Sequence, residues 1–259
     1  GEKWGREFVS WNTCPLHVPG IQTLIPRLRK AFDESDPDFS ASSLFGVWIG
    51  RPHLVIVAKG SVPDSIREIK WDSILSEPFL QVSYHQTNQV GKAVFGEGPI
   101  TAIYGNVPST TPPVRAFRQI AKTLLERART EALSSLLRER PALVLDLYCG
   151  TGDLAERLPA GVEWIGIEAS KEAAKYAGAY VGFVEHRLQD ARVREKIHGK
   201  YALYLNPPRP GLGEIGREKV EDLIRERPPT SIAYLSCSAS SLARGLVIFE
   251  QAGFLVQSL

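Results

Sequence analysis

Three short stretches carry residue types that could do chemistry. "AYLSCSASSLARG", Ala233 to Gly245, holds Cys237, one of three cysteines in the chain. A lone cysteine is by default a small buried apolar residue; it becomes a nucleophile only where the thiol is accessible and the thiolate favoured. "DLYCGTGDLA", Asp146 to Ala155, has glycines at 150 and 152, which let the backbone turn tightly and come close to a ligand. The next expected strand ends in Glu168, well placed to accept hydrogen bonds from ribose hydroxyls. The spacing lacks the third glycine of a dinucleotide loop, so the pair suggests an adenosyl ligand without a pyrophosphate. "NPPRPGL", Asn206 to Leu212, closes another expected strand. Two consecutive prolines cannot continue a ladder, so Asn206 is held rigidly at the sheet's rim. Arg209 either pairs with a phosphate or braces the loop.

These residues need a scaffold that brings them to one edge. Beyond Pro141 the texture alternates: "ALVLDLY", "VEWIGIE", "VGFVEH", "YALYLN" and "SIAYLSC" read as strands. "DLAERLP", "SKEAAKYAGAY", "GREKVEDLIRER" and "SSLARGLVIFEQAG" read as helices. Such alternation predicts a mostly parallel, doubly wound sheet with helices on both faces, which binds ligands at its carboxyl edge. Upstream, Leu24, Ile25, Leu28 and Phe32 have helical spacing, and "SSLFGVWIG" with "PHLVIVAKG" reads as a hairpin. The strand-rich pattern continues to Val107. "PSTTPP", Pro108 to Pro113, is a rigid breaker, so residues 1–112 are expected to form a smaller α+β domain and 113–259 the α/β domain. A long helix should start at Val114 and bury Phe117, Ile120, Leu124, Leu125, Ala128 and Ala132. Its Arg115, Arg118, Lys122, Arg127, Arg129, Arg138 and Arg140 form either a solvated face or a surface that tracks phosphates.

Composition sets bounds. With 259 residues, 43% of them hydrophobic, the chain can build one large or two ordinary cores. A net charge of +2 permits nucleic acid without demanding it. Three widely spaced cysteines make neither a disulfide framework nor a zinc site, and fit a reducing cytoplasm. No apolar run approaches the roughly 20 residues that span a bilayer, so no membrane partner is expected. There is no methionine, even at position 1, so the first residue is not taken as a natural start.

"DLYCGTG", "NPPRPGL" and "YLSCSASSLAR", in this order and spacing, resemble the RNA (uracil-5)-methyltransferase family, which uses S-adenosylmethionine. The match covers roughly Ala116 to Leu259. The resemblance implies a Rossmann-like catalytic domain in which Asp146, Gly150, Gly152 and Glu168 hold the methyl donor. Gln119, in "AFRQI", would touch the donor, and Asp190 would lie near its adenine, or else simply cap a helix. Asn206 stands where nearly every member has Asp, and it would bind the base or the donor. Arg209 and Arg118 would face RNA. Cys237 becomes the nucleophile: its thiolate adds to carbon 6 of uracil, and the resulting enolate takes the methyl at carbon 5. "SCSASSLAR" departs from the family's "SCNPATLAR" at Ser238 and Ala239, where Asn-Pro would stiffen the turn. Cys149 reads as a packing residue.

The resemblance also marks gaps. The family's catalytic base lies in a segment like "DMFPHTHHVE" just beyond "GFLVQSL", and its small N-terminal RNA-binding barrel has no counterpart here. Cys14, in "NTCPLHVPG", matches the fourth ligand of an iron–sulfur cluster found in some members, without its three companions, so no cluster is expected. The substrate would be rRNA or tRNA, with the uridine in a loop or flipped out, and the protein a monomer. Two other functions remain open from sequence: methylation of exocyclic amino groups, suggested by Asn-Pro-Pro although Arg209 replaces the usual aromatic residue, and a noncatalytic donor- or RNA-binding remnant.

Overall fold

The computed structural model describes residues 19–50, 53–75, 81–87, 100–107, 111–113 and 122–258. The chain divides into two compact units, Gly1–Val114 and Arg115–Leu259.

In the first unit, α1 (Pro19–Ser35) and α2 (Pro37–Ser42) precede β1 (Leu44–Gly50) and β2 (His53–Ala58). Short helices α3 (Asp64–Arg67) and α4 (Trp71–Ile74) then lead to β3 (Gln81–Gln86) and β4 (Ile100–Gly105). The sheet order is β1-β2-β3-β4. The expected hairpin is present, with β1 antiparallel to β2 from Leu44↔Ala58 to Gly50↔His53. β2 and β3 run parallel, which is why the chain must cross over through α3 and α4 between them. Leu24, Leu28 and Phe32 form the buried stripe of α1, packed in one core with Ile56, Trp71 and Tyr84. All six residues of β2 are buried, which explains its unbroken apolar run.

The second unit opens with α5 (Lys122–Leu137) and β5 (Leu143–Leu147), followed by a 3-10 turn at Ala155–Arg157. Next come β6 (Glu163–Glu168), α6 (Lys171–Ala177), β7 (Tyr180–Val181), α7 (Val184–Arg187) and α8 (Ala191–Arg194). The chain closes with β8 (Tyr201–Leu205), α9 (Gly213–Glu226), β9 (Ser231–Tyr234) and α10 (Ala239–Gln251). Five strands lie in the order β7-β6-β5-β8-β9, and every pairing is parallel. The sheet is therefore doubly wound, and its order reverses between β5 and β8, where open α/β sheets bind ligands. Alternation sorts the strand residues by face. Leu143, Leu145, Leu147, Leu203 and Leu205 meet Val220, Leu223, Ile248 and Phe249 from α9 and α10. On the other face Val144, Ala202 and Tyr204 pack under Leu136, Leu133 and Ala132 of α5.

Three local expectations change. "DLAERLP" makes only the 3-10 turn, because Leu158 precedes a proline and turns extended, with ψ 140. Of "VGFVEH" only Val181 joins the ladder, beside Tyr180; the chain leaves β6 after Gly182, at φ 144, and Val184 is buried from the helical turn α7. In α5 the inward stripe is set by Ala132, Leu133 and Leu136, while Leu124 is 70% exposed. At about 100° per residue, Leu124 points roughly opposite to Leu133. The same geometry turns Arg129, four residues before Leu133, toward the sheet and removes it from any RNA-facing surface.

Candidate active site

The loop after β5 is shaped by three left-handed residues: Tyr148 at φ 64, Gly150 at φ 57 and Gly152 at φ 77. A tyrosine there stores strain of roughly 1–3 kcal/mol, a cost typical of functional loops. A Cβ on Gly152 would sit 2.9 Å from the Ala177 side chain, so close packing against the end of α6 requires glycine. A Cβ on Gly150 would meet nothing within 4 Å, so here glycine serves the backbone turn and leaves open space beside it. The Cys149 N–H donates to the Ile167 carbonyl at 3.1 Å, stitching the loop to β6. The Glu168 carboxylate completes the cradle: it accepts the Gly150 N–H at 2.9 Å and the Ser170 N–H at 2.8 Å.

Beneath this loop lies Asp146, 1% exposed. The Trp164 indole N–H donates to Asp146 Oδ2 at 3.2 Å, while Oδ1 has no hydrogen-bond partner among the described residues. Trp164 reaches it by lying over Gly166, where a Cβ would come within 2.3 Å of the ring. Burial pushes the Asp146 carboxyl up to about 7; the Trp164 bond and the Arg129 charge oppose that rise, and the Asp153 and Glu168 charges add to it. From the inward side of α5, the Arg129 guanidinium pairs with Asp153 Oδ2 at 2.8 Å, and Thr151 donates to Asp153 Oδ1 at 2.7 Å. An ion pair therefore braces the far end of the glycine loop. Glu126 joins it, 3.8 Å from Arg129 and 2.6 Å from Arg157. The charge pattern of α5 gave no sign of this brace, because only packing reveals which of its arginines faces inward.

Asn206 follows β8 directly. Its N–H donates to the Leu147 carbonyl at 3.3 Å, so the side chain, half-buried, starts beside the glycine loop. Pro207 is buried and Arg209 exposed. Cys237 lies beyond β9, exposed, immediately before the residue that caps α10. Ser238 is that cap: its hydroxyl accepts the Ser241 N–H at 3.3 Å. The Ser236 hydroxyl donates to the Ser238 carbonyl at 3.0 Å and accepts the Ser238 N–H at 3.2 Å. Serine hydrogen bonds thus hold the turn that Asn-Pro would otherwise stiffen.

Strand order brings these groups together. Glu168, Gly150, Asn206 and Cys237 follow β6, β5, β8 and β9, four consecutive strands, all at the carboxyl edge. At about 4.8 Å per strand they span roughly 15 Å. The three motifs that are far apart in sequence form one row.

Asp190 caps α8 through the Arg192 N–H at 3.0 Å and pairs with Arg187 at 2.8 Å and Arg192 at 2.9 Å. Hydrogen bonds from Arg192 hold its carboxyl down at about 2. Both carboxylate oxygens are thus engaged within the protein. Cys149 is half-buried; burial pushes its thiol far above the usual range, and the Asp146 and Glu168 charges add to that, which leaves it a packing group. Gln119, Arg118 and Cys14 lie outside the described residues. Among the described residues, no group of three or more His, Cys, Asp or Glu could hold a metal ion, and no helix is long and apolar enough to cross a membrane.

No protein-family model matches the chain. Individual relatives do. An uncharacterized RNA methyltransferase of Thermosynechococcus vestitus is 26% identical, over 95% of this chain and 59% of its own length. The 23S rRNA (uracil(1939)-C(5))-methyltransferase RlmD of Salmonella typhi is 25% identical, over 98% of this chain and 60% of its own. A third, from Streptomyces avermitilis and also called an uncharacterized RNA methyltransferase, is 33% identical over 55% of this chain and 34% of its own length. The chain thus spans about 60% of the length of the relatives that cover nearly all of it. Among solved structures, the plantazolicin methyltransferase BamL, with S-adenosylhomocysteine bound, superimposes at a TM-score of 0.31 with 16% identity, over 49% of this chain and 59% of its own. A ribosomal protein L11 methylase from Lactobacillus delbrueckii gives 0.32 with 13% identity, over 82% and 91%. Superpositions this loose add nothing to the strand order already described. The chain is thus similar over nearly its whole length to RNA methyltransferases, among them one that acts on carbon 5 of a uracil in 23S rRNA.

Proposed function

We propose that the second unit binds S-adenosylmethionine and methylates carbon 5 of a uridine in rRNA or tRNA through a covalent adduct on Cys237. The observation that carries this reading is the row of Glu168, Gly150, Asn206 and Cys237 at four neighbouring strand tips. It joins a cradle for an adenosyl ligand to an accessible thiol within the reach of one donor and one base.

The cradle fits the donor. Gly150 leaves room for a ligand beside a fixed loop. Glu168 is held by two backbone N–H groups and retains lone pairs for ribose hydroxyls. Asp146 offers a buried oxygen without a partner beneath the loop. S-adenosylmethionine, when bound, supplies an electrophilic methyl group. The protein's task is to make carbon 5 of uracil nucleophilic. The Cys237 thiolate adds to carbon 6, the electron pair moves to carbon 5 and the adjoining carbonyl at carbon 4, and carbon 5 takes the methyl as the methyl–sulfur bond of the donor breaks and its sulfur leaves as a neutral thioether. A base then removes the carbon 5 proton as the carbon–sulfur bond breaks and the thiolate leaves. Asn206 would hydrogen-bond the base through its amide, and Arg209 would meet a phosphate. Cys237 is exposed and lies just before the N-terminus of the 13-residue α10. We assign the protein to the cytoplasm as a monomer, acting on a loop or flipped-out uridine.

The test is methyl transfer from labelled S-adenosylmethionine to rRNA and tRNA transcripts, followed by nucleoside analysis. Label in 5-methyluridine is expected. Label only in an N-methylated adenosine or cytidine would replace this function with amino methylation.

A further inference from the structure

The NPPR loop and the cysteine turn leave different strands, yet one side chain ties them together. Ser241, in the first turn of α10, is 4% exposed and is hydrogen-bonded through both its hydroxyl and its N–H. Its hydroxyl donates to the Arg209 carbonyl at 2.7 Å and accepts from an Arg244 Nη at 3.1 Å. Its N–H is taken by the Ser238 cap at 3.3 Å. The two segments are in contact: a Cβ on Gly211, at φ 88, would lie 3.5 Å from that of Ser241. The Gly211 N–H in turn closes the loop onto the Pro208 carbonyl at 2.8 Å.

We propose that Ser241 is a positioning residue that fixes the distance between the Asn206–Arg209 loop and the Cys237 thiol. The inference rests on the function proposed above. Two rigid devices meet at this hydroxyl. The double proline freezes the loop that presents Asn206, and the serine-capped turn fixes the backbone that presents Cys237. The β8–β9 ladder brings the two devices side by side as far as the Leu235 N–H, which donates to the Leu205 carbonyl at 2.8 Å, but it ends before either loop. Beyond the ladder the Ser241–Arg209 bond holds them, because it links loop backbone to the first turn of the helix beside the thiol. Addition to carbon 6 needs sulfur near contact distance while the base is held elsewhere, and a displacement of about 1 Å can cost on the order of a hundredfold in rate. Arg244 orients the hydroxyl from the next turn of the helix.

The experiment compares the full chain with Ser241→Ala and Ser241→Thr, each checked for an intact fold by its thermal melt. Three rates or affinities are measured: covalent complex formation with 5-fluorouridine RNA in the presence of donor, alkylation of Cys237 by iodoacetamide, and donor binding. Ser241→Ala should slow complex formation at least tenfold while leaving alkylation within threefold and donor affinity within twofold; Ser241→Thr should restore the rate to within threefold. A Ser241→Ala complex forming at the original rate overturns the proposal. So does a loss shared equally by alkylation and donor binding, or one that threonine does not restore. If the unaltered chain forms no complex, the proposed function fails, and hydrogen exchange at the Gly211 N–H decides the coupling. Faster exchange in Ser241→Ala supports it, and unchanged exchange overturns it.

Discussion

Glu168 accepts the backbone N–H of Gly150 at 2.9 Å, so the acidic tip of β6 shapes the glycine loop of β5 as well as offering itself to a ligand. Glu168→Gln tests this double role. Either orientation of the amide places an NH2 against one of the two backbone donors, Gly150 or Ser170, and opens that contact. Calorimetry should show donor affinity falling at least tenfold, a loss of about 1.4 kcal/mol, with little change in the melt.

Asp146 predicts an unusual pH dependence. Its carboxyl is pushed up to about 7 in the folded protein, from an ordinary 3.8, mainly by burial. The native state therefore holds the proton more tightly than the unfolded chain. The resulting stability is fully present below about 3.8 and is lost as pH rises through 7. An isolated shift of this size corresponds to roughly 4 kcal/mol. Urea melts between pH 4 and 8 should fall in midpoint across that window, and Asp146→Asn should flatten the fall. A steep fall retained in Asp146→Asn would place the titration elsewhere.

The Arg129–Asp153 pair should act on the donor loop from outside the ligand site. The arginine side chain is 14% exposed and the aspartate 45%, so the pair sits between a surface and a buried bridge. A double-mutant cycle with Arg129→Ala and Asp153→Ala should give a coupling of about 1 kcal/mol in stability. Both single variants should weaken donor binding by a similar factor, since each releases the end of the same loop. Additive effects in the cycle would show that the pair does not brace it.

Gly166→Ala tests the packing that brings Trp164 to Asp146. The added Cβ would lie 2.3 Å from the indole ring and 2.7 Å from Cys149 Sγ, so the ring must move off the strand. A destabilisation of about 1–3 kcal/mol is expected by chemical denaturation, with a shift in the tryptophan fluorescence spectrum.

The strands and the three motifs were legible because they are local: apolar runs such as "ALVLDLY" end in Gly, Pro or Cys loops whose backbone demands are written in the same few residues. Parallel order followed from the βα alternation. Arg129 was misplaced because a basic residue on a helix of mixed faces points inward or outward according to packing that periodicity alone did not settle. The Trp164–Asp146 contact depends on Gly166 removing its own side chain, a relation between three positions on two strands. Ser238 and Ala239 read as departures from an Asn-Pro turn, and only the hydrogen bonds show that Ser236 and Ser238 hold the turn by other means. Asp190 carried two readings, and its contacts with Arg187 and Arg192 supply the local one: it caps α8.

The central claim, that Cys237 attacks the base, is tested most directly by trapping. Fluorine at carbon 5 replaces the proton that must leave, so the adduct cannot release its thiolate. The full chain, incubated with donor and 5-fluorouridine RNA, should give a complex that survives denaturing electrophoresis; Cys149→Ser should retain it and Cys237→Ala should give none. A complex that persists in Cys237→Ala would contradict the account.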